Sequence, residues 1–152
     1  MKKLTFSRRG GWSVKKDMTY RSGLEEKIAA QLKAAGIEYT YEKHTVSYVI
    51  PASNHKYYPD FILPNGIIIE GKGIFDVKDR QKHLFIKEQH PDLDIRFVFS
   101  NPNQKISPKS KTTYAAWCAK HGFLYAKQYI PDEWLRERPK KSRLKGMQKR
   151  KE

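Results

Sequence analysis

The chain has 152 residues and a formal charge of +15, long enough for one domain with a substantial core and too short for two. Its single cysteine, Cys118, excludes an intrachain disulfide and suits a reducing compartment. No apolar run approaches the length of a membrane span, and no apolar segment follows the Met-Lys-Lys start, so a soluble, cytoplasmic protein without a leader peptide is expected.

Residues 1–20 carry six Lys or Arg against Asp17 and show no apolar period; they read as a basic arm. Ser22 then opens a helix, with Glu25 three positions later in capping-box spacing. Leu24, Ile28, Leu32 and Ala35 form its apolar stripe, and Gly36 is its stop. Glu38 to His44, where Tyr39 and Tyr41 alternate with polar residues, reads as a strand. Val46 to Ile50 is a second extended segment, closed by Pro51, and Ala52 to His55 reads as a loop. Tyr57 to Leu63 and Ile67 to Lys72 form a hairpin around Pro64-Asn65-Gly66. Asp76 to Gln89 is helical and stops before Pro91, and Asp94 to Ser100 is a strand. Asn101 to Lys111 has no periodicity and reads as a loop. Thr113 caps a helix through Lys120, Phe123 to Ala126 is a short strand, and Pro131 to Leu135 is a short helix. Cys118 falls in an apolar helical stretch and reads as a small core residue.

Residues 136–152 carry nine basic side chains against Glu137 and Glu152 and read as a basic tail. The order of elements predicts an α/β fold, a mixed sheet flanked by helices, with residues 21–135 as the folded domain. Most of the net charge sits in the two ends, so nucleic acid is the expected partner.

The chemistry concentrates in the hairpin. Pro59-Asp60 precedes its first strand, and Glu70-Gly71-Lys72 ends its second. Ionised groups in apolar strands are costly unless they pair or hold a metal. A two-residue Asn65-Gly66 loop would put Asp60 and Glu70 on opposite faces. A three-residue Pro64-Asn65-Gly66 loop, with proline at its first position and glycine at its left-handed one, puts Asp60 directly opposite Glu70. Opposed Cβ atoms lie about 4.5–5.5 Å apart, within reach of one cation. Lys72 shares the face of Glu70, and the side of Gly71 points away. Two carboxylates and a lysine on a basic chain suggest magnesium-dependent cutting of a nucleic-acid backbone. The competing reading is a cross-strand salt bridge, which a lone Glu-x-Lys would favour.

Asp60 and Glu70-Gly71-Lys72 match the PD-(D/E)xK nuclease signature. The chain further resembles the bacteriophage endonuclease I family of four-way (Holliday) junction resolvases. The resemblance rests on Arg21-Ser22-Gly23-Leu24-Glu25, Tyr48-Val49-Ile50-Pro51-Ala52-Ser53-Asn54-His55, Pro59-Asp60-Phe61 and Leu63-Pro64-Asn65-Gly66. It continues through Lys82-His83-Leu84, Glu88-Gln89-His90-Pro91, Leu93-Asp94-Ile95-Arg96 and Lys120-His121-Gly122 to about Trp134. It implies a restriction-endonuclease-like fold and an intertwined, domain-swapped homodimer that nicks branched DNA with Mg2+, or Mn2+ in its place, and no small-molecule cofactor. By position it implies Asp60 and Glu70 as metal ligands with the Gly71 carbonyl, Lys72 as the catalytic lysine, and Glu25 as a further acidic ligand from the first helix. Gly71 stands where the family carries threonine, a change that a backbone ligand tolerates. The residues alone favour Glu25 as a cap, and the resemblance reverses that order.

Lys15, Lys16, Arg21, His55, Arg80 and Lys82 are expected to contact DNA. His83 and His90 are expected at the surface or facing DNA, since neither has a zinc-motif partner. Two alternatives stay open: a related nuclease acting on mismatched, flap or single-stranded DNA, and a non-catalytic basic nucleic-acid-binding protein in which Asp60, Glu70 and Lys72 only pair.

Overall fold

A computed structural model describes residues 20–50 and 53–150. The expected basic arm, with Lys15 and Lys16, lies outside the described residues apart from Tyr20. Helix α1 (Gly23–Ala34) starts where Ser22 accepts a hydrogen bond from the Glu25 amide at 3.1 Å. It ends at Gly36, which is left-handed (φ 68°), with the Ile37 amide donating to Leu32. Leu24, Ile28, Ala29 and Leu32 are its buried residues. Ala35, expected in that stripe, is exposed because it is already the C-cap.

The strand expected over 38–44 is broken. Only β1 (Thr40–Tyr41) precedes Glu42, whose left-handed backbone (φ 54°) turns the chain toward β2 (His44–Ile50) in a different sheet. Of the loop expected at 52–55, residue 52 lies outside the described residues and 53–55 are instead part of β3 (Ser53–Tyr57), antiparallel to β2 from Val46↔Tyr57 to Ile50↔Ser53. Ser53 to Lys56 are all exposed, so this strand has no apolar alternation to announce it, and backbone pairing alone defines it.

The main sheet continues with β4 (Phe61–Ile62), β5 (Ile68–Lys72), β6 (Ile95–Phe99) and β7 (Tyr125–Lys127), in the order β1-β4-β5-β6-β7. The first two pairings are antiparallel and the last two parallel. The parallel pairs are linked through α2 (Val77–Gln89) and α3 (Tyr114–His121), as crossover connections require. Side-chain alternation sorts the core into two. Ile62, Ile68 and Phe97 face α2 and α3, whereas Phe61, Ile69 and Val98 face α1 and α4 (Asp132–Arg136). The mixed sheet flanked by helices is the architecture expected. Cys118 is fully buried in the first of these cores, and burial pushes its thiol up to about 12, as suits an inert core residue.

The segment expected as a basic tail is folded through residue 150. A 3-10 helix (Lys141–Leu144) leads to β8 (Met147–Lys149), which pairs with β2 to give a second sheet, β8-β2-β3. The cause is Arg143. It is buried, pairs with Asp94 at 3.0 Å and Glu137 at 2.8 Å, and donates to the Asn65 and Arg138 carbonyls. Asn65, read from sequence only as a turn residue, is also buried and donates to the Trp134 and Glu137 carbonyls. A Cβ at Gly66, where φ is +90°, would lie 3.0 Å from the Arg143 Cβ, so this turn needs glycine for its conformation and for the close approach.

Arg143→Ala should therefore act as a core lesion. It is expected to lower stability by about 2–3 kcal/mol, the cost of losing charge-assisted hydrogen bonds whose partners are part-exposed and still paired with Arg96, as read from the urea midpoint at unchanged m. A loss below about 1 kcal/mol would show that the C-terminal segment is not pinned by this side chain.

Candidate active site

The hairpin takes the three-residue register. Phe61 faces Ile69 and Ile62 faces Ile68, which continues to Asp60 opposite Glu70. The Leu63 amide donates to Ile67 at 2.9 Å and the Gly66 amide to Leu63 at 2.8 Å, closing the turn. Beyond Phe61 the first strand stops, and Pro59-Asp60 lies in a bend. Each acid then binds the other's backbone. The Asp60 amide donates to Glu70 Oε2 at 2.9 Å, and the Gly71 amide donates to Asp60 Oδ2 at 3.1 Å. The Tyr57 hydroxyl adds a second donor to Glu70 Oε2 at 2.6 Å.

Glu70 and Lys72 project toward α2, and the Lys72 ammonium lies 3.3 Å from Asp79 on that helix. The side of Gly71 faces α1. A Cβ there would be 3.3 Å from Ile28 Cδ1 and 3.5 Å from Leu24 Cδ2, so the helix packs into the space glycine leaves. That approach carries Glu25 to the site from the opposite face of the sheet. Glu25 Oε1 accepts the Arg21 amide at 2.6 Å and the Tyr41 hydroxyl at 2.8 Å. Ser22 thus caps the helix without a reciprocal bond from Glu25 to its own amide, and the acid is left turned toward Asp60.

One acidic residue was missed by sequence reasoning. Glu42, at the left-handed bend, brings an oxygen into a group with Glu25 and Asp60 in which the ligand atoms all lie within 4.8 Å of one another. Its amide donates to the Asp60 carbonyl at 3.2 Å. The signal available was Glu42-Lys43, two adjacent charges that interrupt the tyrosine alternation. Glu42 Oε2 is buried without a hydrogen-bond partner, with the Arg21 guanidinium 3.1 Å away. Hard carboxylate oxygens at this density, one of them lacking a hydrogen bond, fit a divalent cation of the magnesium type.

The electrostatics agree. Burial, then the charges of Glu70 and Glu25, push Asp60 well above the usual carboxylate range, against the pull of Lys72 and the Gly71 amide. Burial likewise raises Glu70, opposed by Lys72 and the Tyr57 hydrogen bond. Burial alone would depress Lys72, but Glu70, Asp79 and Asp60 outweigh it and hold the ammonium more firmly protonated than an ordinary lysine.

The profile of the phage endonuclease I family matches residues 6–152. The chain is 52% identical over 132 residues to Endonuclease I of Escherichia phage T7, a match covering 87% of this chain and 88% of that protein. It is 54% identical over 122 residues to Endodeoxyribonuclease 1 of Enterobacteria phage T3, covering 80% of each. The chain belongs to the phage endonuclease I family. It is a nuclease, and among its described residues no helix is long and apolar enough to cross a membrane.

The residues expected to touch DNA are scattered in this family member. Arg21 is exposed beside Glu42, at the mouth of the acidic group. Arg80 gives one guanidinium nitrogen to the Phe75 carbonyl at 2.6 Å, so it is part of the α2 junction and not simply a solvated charge. Lys82 lies 5.6 Å from the centre of the Tyr57 ring, and its charge reaches Glu70. His55 is exposed on β3, where its ring meets Ser53 Oγ at 2.8 Å. His83 is the clear correction. It is fully buried, because α2 turns it inward beneath Glu70.

Asp60→Asn keeps the shape and removes the repelled charge. It should raise the metal-free melting temperature, by about 2–4 °C for each kcal/mol relieved in a chain of this size. Mn2+ is expected to raise the melting temperature of the wild type and not that of the mutant. A carboxyl whose folded pKa is raised destabilises the fold fully above that pKa; the penalty declines as pH falls below it and is gone below the unfolded-state pKa. The gap between mutant and wild type should therefore shrink from neutral pH toward the ordinary carboxylate range. A gap independent of pH would show that Asp60 carries no repelled charge.

Proposed function

We propose that the chain is a structure-selective DNA endonuclease that resolves four-way junctions by paired, metal-dependent phosphodiester hydrolysis. The observation that carries this reading is the convergence of Asp60, Glu70, Lys72 and Glu25 from a hairpin and a helix on opposite faces of one sheet. Family membership supports it. The names of the relatives from phages T7 and T3 describe an endonuclease and an endodeoxyribonuclease.

In this reading Asp60, Glu70, the Gly71 carbonyl and Glu25 would hold Mg2+ or Mn2+, which would supply positive charge to activate water and to offset charge on the phosphate. Lys72, whose ammonium Glu70, Asp79 and Asp60 favour, would neutralise charge developing on the phosphate. Asp79 holds the ammonium in place between turnovers. The basic segments at both ends, with Lys15, Lys16, Arg21, His55 and Lys82, attract the DNA backbone without reading its sequence.

Resolution needs two cuts on symmetry-related strands, and one chain carries one constellation. A closed two-fold homodimer supplies the second. Within one chain Glu25 reaches its own Asp60. The segment 45–51 lies between the Glu25 helix and the Asp60 hairpin, and an exchange of chains there would place Glu25 against the partner copy's Asp60.

Lys72→Ala should reduce nicking of a supercoiled plasmid and of a four-way junction by about 10²–10³-fold, with little change in junction affinity. Weaker binding at unchanged turnover would make Lys72 a phosphate anchor. Equal cutting of junction and linear duplex by the wild type would remove the junction-resolving reading and leave a general nuclease.

The exchange is tested by refolding Glu25→Ala chains together with Glu70→Ala chains. With exchange, each mixed dimer has one doubly damaged site and one intact site, so it should nick one strand. Mixed dimers with no activity, or a monomer by light scattering, would sink the exchanged arrangement.

A further inference from the structure

His83 is fully buried, and neither of its ring nitrogens has a hydrogen-bond partner. Its ring meets the edges or faces of Tyr57 at 5.2 Å and Phe97 at 4.9 Å, with interplanar angles of 81° and 84°. Phe123 and Phe75 stand farther off, at 6.4 and 6.5 Å. A phenylalanine or leucine would suit such surroundings without the cost of two unpaired polar atoms. One polar group does face the imidazole. Its Nε2 lies 3.9 Å from Glu70 Oε1.

The rest of the Glu70 carboxylate is already held. Oε2 takes both the Tyr57 hydroxyl and the Asp60 amide, which leaves Oε1 as the oxygen without a fixed partner among these contacts. A carboxylate gripped at one oxygen can still swing about that point. The separation to His83 exceeds an ordinary hydrogen bond by about 1 Å, a movement within reach of small side-chain rotations. Of the two ring nitrogens, Nε2 is the one directed at Glu70, and it can serve as the donor to Oε1.

We propose that His83 is a positioning residue: its Nε2–H donates to Glu70 Oε1 and fixes the orientation in which Glu70 binds a divalent cation. The role rests on the reading of Glu70 as a metal ligand. His83 touches neither substrate nor metal. It acts as outer-shell partners of metal-bound carboxylates do, by removing the freedom that binding would otherwise have to remove.

The test compares His83→Phe, His83→Gln and Glu70→Ala with wild type by Mn2+ calorimetry and thermal unfolding, without DNA. His83→Phe should weaken Mn2+ binding by about 10-fold or more while melting at or above the wild-type temperature, since an unpaired polar group is gone. His83→Gln, which restores an N–H donor, should recover most of the affinity. Wild-type Mn2+ affinity in a folded His83→Phe protein would overturn the proposal and assign the residue to packing alone. Wild-type affinity in Glu70→Ala would instead overturn the ligand reading beneath it. If His83→Phe does not fold, nitrogen–proton correlation spectra of the wild type decide. A proton on Nε2 in the Mg2+-loaded protein supports the donor role, and a proton on Nδ1 overturns it.

Discussion

The site depends on a reciprocal grip between two acids that repel each other. Asp60 and Glu70 are buried, face each other across a strand pair, and each accepts a backbone amide from the other's side of the hairpin. Those amide bonds oppose the repulsion and fix the carboxylates to the main chain, whose position the sheet controls. Everything else at the site is arranged around that pair. Tyr57 and His83 line the Glu70 side, Lys72 is held out toward α2, and Glu25 and Glu42 approach Asp60 from the other side. A charge-balanced surface network would not need this degree of burial. In the proposed reading, a cation bound here would gain affinity partly from relieving anion–anion repulsion.

The bend at Glu42 shows how a local backbone feature serves that arrangement. A non-glycine residue in the left-handed region is uncommon and is retained where the surroundings compensate. Here it moves the chain from one sheet to the other and turns a carboxylate toward Asp60 in the same step. Arg150, near the other end of the chain, donates to the Glu42 carbonyl at 3.3 Å, and its guanidinium sits 4.7 Å from the centre of the Tyr58 ring. The folded C-terminal segment therefore finishes beside the residues that precede Asp60.

The hairpin was the most legible part of the sequence, because proline and glycine at fixed places in a three-residue turn determine which residues stand opposite. That is why Asp60, Glu70 and Lys72 could be set on one patch before any coordinates. The helices were legible for a similar reason, since Ser22, Asp76 and Thr113 are side-chain caps and Gly36 and Gly122 are left-handed stops. What escaped was decided at long range. β3 is a strand because β2 lies beside it, and its own exposed residues carry no period. Arg143 looks like any basic residue until Asp94, Glu137 and the Asn65 turn are assembled around it. His83 reads as polar, and only the angle at which α2 lies on the sheet makes it a core residue. Glu42 needed its backbone conformation to be known.

Gly71 links the helix to the chemistry in one further way. Ile28 occupies the space a side chain at 71 would claim, with a Cβ contact of 3.3 Å in prospect. The two positions thus behave as one volume shared between strand and helix. In a chain with a threonine at 71, as the family resemblance implies for other members, residue 28 would have to turn or shorten, or α1 move slightly outward. An outward shift would lengthen the reach from Glu25 to Asp60. The fit of a buried aliphatic residue outside the acidic group therefore bears on how closely Glu25 can approach Asp60.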